Sequence, residues 1–181
     1  MASSTQEGGP LKFEEIPPSG VSCDLIEPTE VYESIERVKA VGQHAHRDFL
    51  LVDVRRTDWE GGTVATSVNF PAQSFYQTRG GVYQLCKQAG IKKVIFYCGE
   101  CLPANTLNVT LWKLIAGWPH AGSCGTRGPK CAGWFQEYLD SIGETEMKAL
   151  ILRGGVKGWQ KTYNGQLMDY YDPGAWGSQS K

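Results

Sequence analysis

Residues 49–54 read Phe-Leu-Leu-Val-Asp-Val, an apolar run that reaches charged residues only at its end. A continuous run of this kind is typical of a strand buried on both faces of a parallel sheet. Two later runs have the same character: residues 93–97, Lys-Val-Ile-Phe-Tyr, and residues 148–152, Lys-Ala-Leu-Ile-Leu. These three runs therefore predict the central strands of one sheet.

Helical patterns lie between the predicted strands. Apolar residues recur at helical spacing after Pro28 until Gly42, which predicts a first helix. A second helix is expected from Ser74, as its cap, to about Ala89, although Gly80-Gly81 weakens its middle. Strands that alternate with helices predict an α/β domain with a mainly parallel sheet, whose ligands bind at the carboxyl ends of the strands.

Shorter features complete this outline. Residues 57–63 are predicted to form a turn, and residues 68–71 a short strand. A third helix is expected from Pro129, in its first turn, to Ile142, before Gly143.

The composition indicates one globular domain with free ends. The chain has 181 residues, of which 41% are hydrophobic and 20% charged, and its formal net charge is −1. This balance creates no general attraction for nucleic acid or anionic lipid, and no apolar run approaches the ~20 residues of a membrane span. We expect a flexible arm over 1–22, the domain over 23–168 and a tail over 169–181. With no secretion leader evident at the start, the expected location is the cytoplasm, the nucleus or both.

The six cysteines are expected to be reduced thiols, since a chain of this size needs no disulfides to fold. Cys98 and Cys101 have zinc-like spacing, but Cys124 and Cys131 do not, so no metal site is predicted. Cys23, Cys86 and Cys131 are interpreted as structural thiols.

Four motifs occur in a characteristic order. They are Asp53-Val54-Arg55, residues 60–63 (Glu-Gly-Gly-Thr) with the strand at 68–71, residues 94–98 (Val-Ile-Phe-Tyr-Cys), and residues 152–159, which begin Leu-Arg-Gly-Gly-Val. In this order they resemble a rhodanese-like domain, over roughly residues 25–165. The resemblance implies a three-layer α/β fold with a five-stranded, mainly parallel sheet flanked by helices.

Within that superfamily, the segment after the cysteine is similar to the M-phase inducer type of dual-specificity phosphatase and to the eukaryotic arsenate reductases. Those enzymes carry Cys-x5-Arg followed by Gly-Pro and a basic residue, and this chain has Arg127-Gly128-Pro129-Lys130 before a predicted helix. However, 28 residues separate Cys98 from Arg127. When residues 100–122 are removed, the remaining sequence contains Cys98, five residues and Arg127, which restores the loop.

Residues 100–122 are therefore interpreted as an insert in the active-site loop. Two origins are open: a true part of the protein, or an intron retained in the transcript. The codons of Gly99-Glu100-Cys101 can contain a sequence like a splice donor, and those of His120-Ala121-Gly122 can end like a splice acceptor. Removing the 23 residues of the insert keeps the reading frame. The insert carries large apolar residues that would form an exposed patch or cover the pocket, so the chain as written is expected to be a weak or inactive enzyme.

The resemblance implies the chemistry of the restored loop. Cys98 would be the nucleophile, because a thiolate near a helix amino terminus and an arginine is stabilised. Arg127 would bind two oxygens of the substrate. Consecutive loop amides would surround the oxyanion; the residues that would supply this substrate-binding set are Gly99, Ser123, Cys124, Gly125, Thr126 and Gly128.

The expected substrate is a phosphorylated protein or a small oxyanion, and glutathione would be the partner of a reductase. No metal or organic cofactor, nucleic acid or membrane partner is expected.

The sequence also departs from the resembled enzymes. In the resembled enzymes a His usually precedes the nucleophile, and this chain has Tyr97 at that position. The phosphatases often have a protective cysteine where this chain has Val54, and an acidic residue before the arginine where it has Thr126. These differences leave the general acid unassigned. Because Val54 replaces the protective cysteine, the resemblance leaves Cys124 as the residue that could form a disulfide with Cys98 instead.

Several alternatives stay open. Cys98 could be a small buried hydrophobic residue and Arg127 a solvated surface charge, whereas Asp53 and Arg55 more readily form a structural pair than a catalytic one. The function could also be that of a sulfurtransferase that forms a persulfide on Cys98, or of a rhodanese-like module that only binds partners.

Overall fold

The computed structural model describes residues 16, 18–42, 46–99 and 127–177. Its strands are β1 (Asp24–Ile26), β2 (Phe49–Asp53), β3 (Thr63–Val64), β4 (Val68–Asn69), β5 (Lys93–Tyr97), β6 (Lys148–Leu152) and β7 (Met168–Asp169). Five of them form a parallel sheet in the order β1-β6-β5-β2-β4, while β3 pairs with β7 in an antiparallel ladder. The helices are α1 (Pro28–Val41), α2 (Ala72–Gln88), α3 (Arg127–Ser141), α4 (Gly155–Tyr163) and α5 (Pro173–Gly177).

Aromatic contacts hold the helices to the sheet in two groups. Phe75 of α2 packs edge-on against Phe96 of β5, with ring centroids 5.1 Å apart, and Phe135 of α3 contacts both rings. Between α1 and α4, Tyr32 stacks on Tyr163 with ring centroids 4.6 Å apart. The sheet is therefore flanked by helices, as predicted, and its central strands are almost fully buried.

The long apolar strands are confirmed close to their predicted limits, because their pattern is local and strong. The first helix also ends where expected, immediately before Gly42. The predicted start of the second helix is wrong: α2 begins at Ala72, and the Ser74 hydroxyl donates to the carbonyl of Pro71 instead of capping the helix. Gly80-Gly81 does not interrupt it.

The sequence patterns did not predict β1, β3, β7, α4 or α5. The three residues of β1 are too few to show a period, and they form a strand because their backbone pairs with β6. In the glycine motif after β6, only Gly154 and Gly155 have positive φ angles, of 75° and 59°, and α4 already begins at Gly155. A side chain would strain the backbone at these two positions.

The packed part of the chain extends beyond the predicted domain limits of 23–168. Ile16 is buried, and the Ser19 hydroxyl donates to Glu137 Oε1 of α3 at 3.0 Å. At the other end, β7 pairs with β3, and the Trp176 indole N–H donates to the carbonyl of Gly61 at 2.8 Å. Within the described residues, no helix has the length and apolar character needed to cross a bilayer.

Candidate functional site

Cys98 and Gly99 lie directly after β5, at the carboxyl edge of the sheet. The carbonyl of Cys98 accepts a hydrogen bond from Val156 N at 3.0 Å, and that of Gly99 accepts one from Lys157 N at 2.9 Å. Both donors lie in the first turn of α4, so this helix fixes the backbone immediately after the strand. The Cys98 side chain is fully buried in the structure.

Asp53 and Arg55 form a buried ion pair at the end of β2. Arg55 Nη2 lies 2.7 Å from Asp53 Oδ2, and the guanidinium also donates to the carbonyls of Glu60 and Gly62 at 3.0 and 2.6 Å. Asp53 in turn accepts a hydrogen bond of 2.9 Å from Thr63 Oγ1. These bonds hold the β2–β3 loop on the sheet, and they confirm that Asp53 and Arg55 form a pair.

Tyr97, which stands where the resembled enzymes have His, belongs to the same buried network. Its hydroxyl lies 2.6 Å from Thr63 Oγ1, donates to Ser67 Oγ at 2.7 Å and accepts from Val64 N at 3.2 Å. Burial and the nearby Asp53 carboxylate raise the pKa of this phenol well above its usual range, so it stays neutral. Tyr97 thus connects β5 to the β3–β4 turn.

Arg127, the first residue of α3, is buried and paired with Asp58 of the β2–β3 loop. Arg127 Nη1 donates to Asp58 Oδ1 at 2.7 Å, and Nη2 donates to Asp58 Oδ2 at 2.5 Å. This hydrogen bonding holds the pKa of the Asp58 carboxyl well below its usual range. Since Arg127 is only 4% exposed, its interpretation as a solvated surface charge is wrong.

A cavity of about 200 Å³ connects the loop that carries Asp58 to the end of β5. Its charged wall contains Arg55, Asp58, Glu60 and Lys157, and the rest of its lining is Gly99, Val156, Ala175 and Trp176. The structure therefore brings the residue that follows Cys98 and the partner of Arg127 to one cavity.

Cys131 is a further buried thiol near the amino terminus of α3. This thiol follows Arg127 by one helical turn and is fully buried. Burial raises the pKa of Cys131 well above its usual range, the nearby Cys98 raises it further, and Lys130 and Arg127 lower it. The thiol is therefore protonated at neutral pH, which suits a structural role.

The other predicted site residues divide into two groups. Gly128 is buried in the first turn of α3, and Gly99 lines the cavity. Ser123, Cys124, Gly125 and Thr126, together with the predicted insert at 100–122, lie outside the described residues. The predicted ring of loop amides and the proposed disulfide between Cys98 and Cys124 therefore stay predictions.

Asp58, Lys157 and Trp176, which line the cavity, are among the residues that the sequence did not predict as part of the site. Asp58 lies in a segment that was read only as a turn, although an acid shortly after Asp53 and Arg55 was a usable signal. Lys157 and Trp176 carry no signal of their own, because the α4 amino terminus and the β3–β7 ladder bring them to the cavity.

The remaining described cysteines are free thiols. Burial raises the pKa of Cys23 to about 12 and that of Cys86 to about 11, which suits a structural role. Over residues 16, 18–42, 46–99 and 127–177, no group of three His, Cys, Asp or Glu side chains could hold a metal ion.

No protein-family model matches the sequence, and no curated protein is significantly similar to it. Solved structures do resemble it. An As-Sb reductase from Leishmania major superposes with a TM-score of 0.60 at 19% identity, over 81% of this chain and 84% of that chain.

Two structures of Ygr203w from Saccharomyces cerevisiae are also similar. One is named a homolog of single-domain rhodanese and of the Cdc25 phosphatase catalytic domain, and the other a protein tyrosine phosphatase of the rhodanese family. Their TM-scores are 0.58 and 0.59 at 22% identity, and they cover 85% and 87% of this chain and 91% and 99% of those chains. Similarity at such identities establishes the fold alone.

Proposed function

We propose that this chain, whose rhodanese-like fold is the one predicted from its motifs, acts on a tetrahedral oxyanion through Cys98. The chemistry would be that of a phosphatase or an arsenate reductase. The observation that carries the proposal is the shared cavity: Gly99, next to the nucleophile, and Asp58, the partner of Arg127, line the same space. The names of the similar structures, a reductase and a phosphatase, agree with this class of chemistry.

The proposed reaction has two steps. In the phosphatase form, the Cys98 thiolate attacks phosphorus, the ester oxygen leaves with a proton, and water then hydrolyses the thiophosphate to release phosphate. Arg127 stabilises the charge that develops on the oxygens, and the α4 amino terminus adds a positive dipole beside Cys98. In the reductase form, the Cys98 thiolate attacks the arsenic of arsenate and displaces water. Glutathione then attacks the Cys98 sulfur, arsenite leaves with the electron pair of the broken S–As bond, and a second thiol reduces the resulting Cys98–glutathione disulfide. Reduced thiols of this kind suit the proposed cytoplasmic or nuclear location.

The test compares the full chain with a chain that lacks residues 100–122, each with and without Cys98→Ser. Turnover of p-nitrophenyl phosphate, and arsenate reduction with glutathione, are measured after circular dichroism has shown that both chains are folded. Because Cys98 is buried, we expect little turnover by the full chain. The shortened chain should gain turnover, and Cys98→Ser should remove it.

The matched control is Cys86→Ser, which changes another buried thiol, on the α2 surface that faces the core. It should leave turnover unchanged. Turnover that survives Cys98→Ser, or a folded shortened chain without turnover, would contradict the proposal. Sulfur transfer from thiosulfate to cyanide in the same preparations would favour the sulfurtransferase instead.

A second candidate is a binding module without catalysis, and the complete burial of Cys98 is the observation in its favour. This candidate predicts that Cys98→Ser leaves the biological role unchanged.

The origin of the insert is tested separately, on the transcript. If residues 100–122 come from a retained intron, the codons at 99–101 and 120–123 contain GT and AG at the boundaries, and a shorter transcript is found. Genomic sequence without those dinucleotides would exclude the intron.

A further inference from the structure

Asp58 contacts Arg127 with both of its carboxylate oxygens. Oδ1 accepts from Nη1 at 2.7 Å and Oδ2 from Nη2 at 2.5 Å, so the carboxylate binds the end of the guanidinium that carries the two Nη atoms. An oxyanion that approaches from the side of the guanidinium would use Nε and the outer hydrogen of Nη2. A planar guanidinium can serve both partners, since it has five N–H donors in a fixed geometry.

The two members of the pair differ in exposure. The side chain of Arg127 is 4% exposed, whereas that of Asp58 is 45% exposed and lines the cavity. A buried charge needs a partner that neutralises it, and here the partner enters from the cavity side. Arg127 is thereby held by a residue that lines the cavity.

Asp58 is itself fixed by its own loop. Its Oδ1 also accepts from Arg56 N at 3.0 Å, and Trp59 N donates to the carbonyl of Arg56 at 3.2 Å, which closes the turn. The loop on either side of this turn is held by the Arg55 guanidinium, which bonds to the carbonyls of Glu60 and Gly62. A carboxylate fixed in this way can hold the arginine in position. A carboxylate that only occupied the oxyanion site until the substrate displaced it would need a mobile side chain.

From these contacts we propose that Asp58 is a positioning residue, which orients the Arg127 guanidinium for binding the substrate oxyanion. The proposal rests on the proposed function, because it treats Arg127 as the oxyanion-binding residue. It also gives the buried Asp53–Arg55 pair a role, since that pair holds the loop that carries Asp58.

The test is a double-mutant cycle on the full chain, with Asp58→Ala, Arg127→Ala and both together. The readout is the affinity for tungstate, a non-reacting tetrahedral oxyanion, measured by calorimetry. We expect Asp58→Ala to weaken tungstate binding when Arg127 is present, and to have no further effect when Arg127 is Ala. Asp58→Asn, which keeps a side-chain oxygen at the same place, should recover part of the affinity.

The charge control is Glu60→Gln, which removes a negative charge from the same cavity. Removing a negative charge reduces the repulsion of an anion. The Glu60→Gln variant should therefore bind tungstate at least as tightly as the unchanged chain. Where turnover is measurable, Asp58→Ala should lower kcat by up to about 100-fold, as expected for a misplaced catalytic group, and change KM less.

Tungstate binding that is unchanged or tighter in Asp58→Ala would overturn the proposal and make Asp58 a competitor of the substrate. Equal losses from Asp58→Ala with and without Arg127 would also overturn it. Absence of tungstate binding by the unchanged chain would overturn the role proposed for Asp58, whereas the proposed function is tested by the turnover of the shortened chain. Absence of Cys98-dependent turnover, with an intact tungstate cycle, would contradict the proposed function and leave the role of Asp58 standing.

Discussion

Asp53 and Arg55 carry opposite charges with almost no exposure to solvent. Such a pair is sensitive to the loss of one partner, because the remaining charge stays buried without compensation. The Arg153–Glu27 pair, whose side chains are 46% and 47% exposed, is the natural comparison within the same chain.

Asp53→Ala should therefore lower the free energy of unfolding by about 3–5 kcal/mol, since it leaves the Arg55 guanidinium unpaired in the interior. Glu27→Ala should cost less than about 1 kcal/mol, because exposed ion pairs contribute little. Urea denaturation of both variants measures the difference. Similar losses in the two variants would show that the interior pair is not what holds the β2–β3 loop.

Tyr97 tests whether the residue before Cys98 has a structural or a catalytic role. Its hydroxyl accepts the Val64 N–H and bonds to two further hydroxyls in the interior. Tyr97→Phe should lower the free energy of unfolding by about 1–3 kcal/mol, because it leaves these buried groups with fewer partners. Any turnover that depends on Cys98 should change little.

The control for this change is Tyr170→Phe, which alters a side chain that is 83% exposed. It should shift the free energy of unfolding by no more than about 0.5 kcal/mol. A large loss of turnover in Tyr97→Phe at unchanged stability would instead make the phenol part of the reaction.

Helix α3 contacts both the candidate site and the amino-terminal segment of the described chain. It begins with Arg127 at the candidate site, and further along its length Glu137 accepts hydrogen bonds from Ser19 and from Gly20 N. The close approach depends on Gly133, where an added Cβ would overlap the Ser19 side chain and lie 2.8 Å from the carbonyl of Val21.

Gly133→Ala should displace residues 18–22 from α3 and speed their amide hydrogen exchange. Gly81→Ala in α2 is the matched control, because no atom lies within 4 Å of its added Cβ. That control should stabilise the protein by up to about 1 kcal/mol, from the higher helix propensity of alanine. Hydrogen exchange and urea denaturation of both variants separate the two effects, and unchanged exchange over 18–22 in Gly133→Ala would contradict the packing.

The elements also differ in how far the sequence predicts them. The strands at 49–53, 93–97 and 148–152 each contain four consecutive apolar or aromatic residues, so their local pattern is sufficient. The strand β1 and the helix α4 lack such a pattern, and their structure depends on pairing with β6 and on burial of residues such as Trp159. The local sequence does not show which partners these elements will contact.

At the scale of the whole molecule, burial in the folded protein lowers the reactivity of the structural thiols Cys23 and Cys86. At pH 8 a thiol with a pKa of about 11 or 12 is almost entirely protonated, and only the thiolate reacts with iodoacetamide. Cys23 and Cys86 should therefore be alkylated at least about 100-fold more slowly in the native protein than in urea, where their pKa values return to about 8.5. Mass spectrometry of the alkylated peptides measures each rate, and equal rates in the two conditions would contradict the burial of these thiols.

The sequence by itself determined the class of fold, the central strands, the first helix and the structural role of Asp53 and Arg55, because each depends on neighbours close in the chain. It also indicated Cys98 and Arg127 as candidates through their motifs. Only the tertiary structure decided which groups meet at the carboxyl edge of the sheet. Asp58 and Arg127 are 69 positions apart, and they come together because parallel strands bring their following loops to one side. That encounter depends on the packing of the whole sheet, which no local pattern contains.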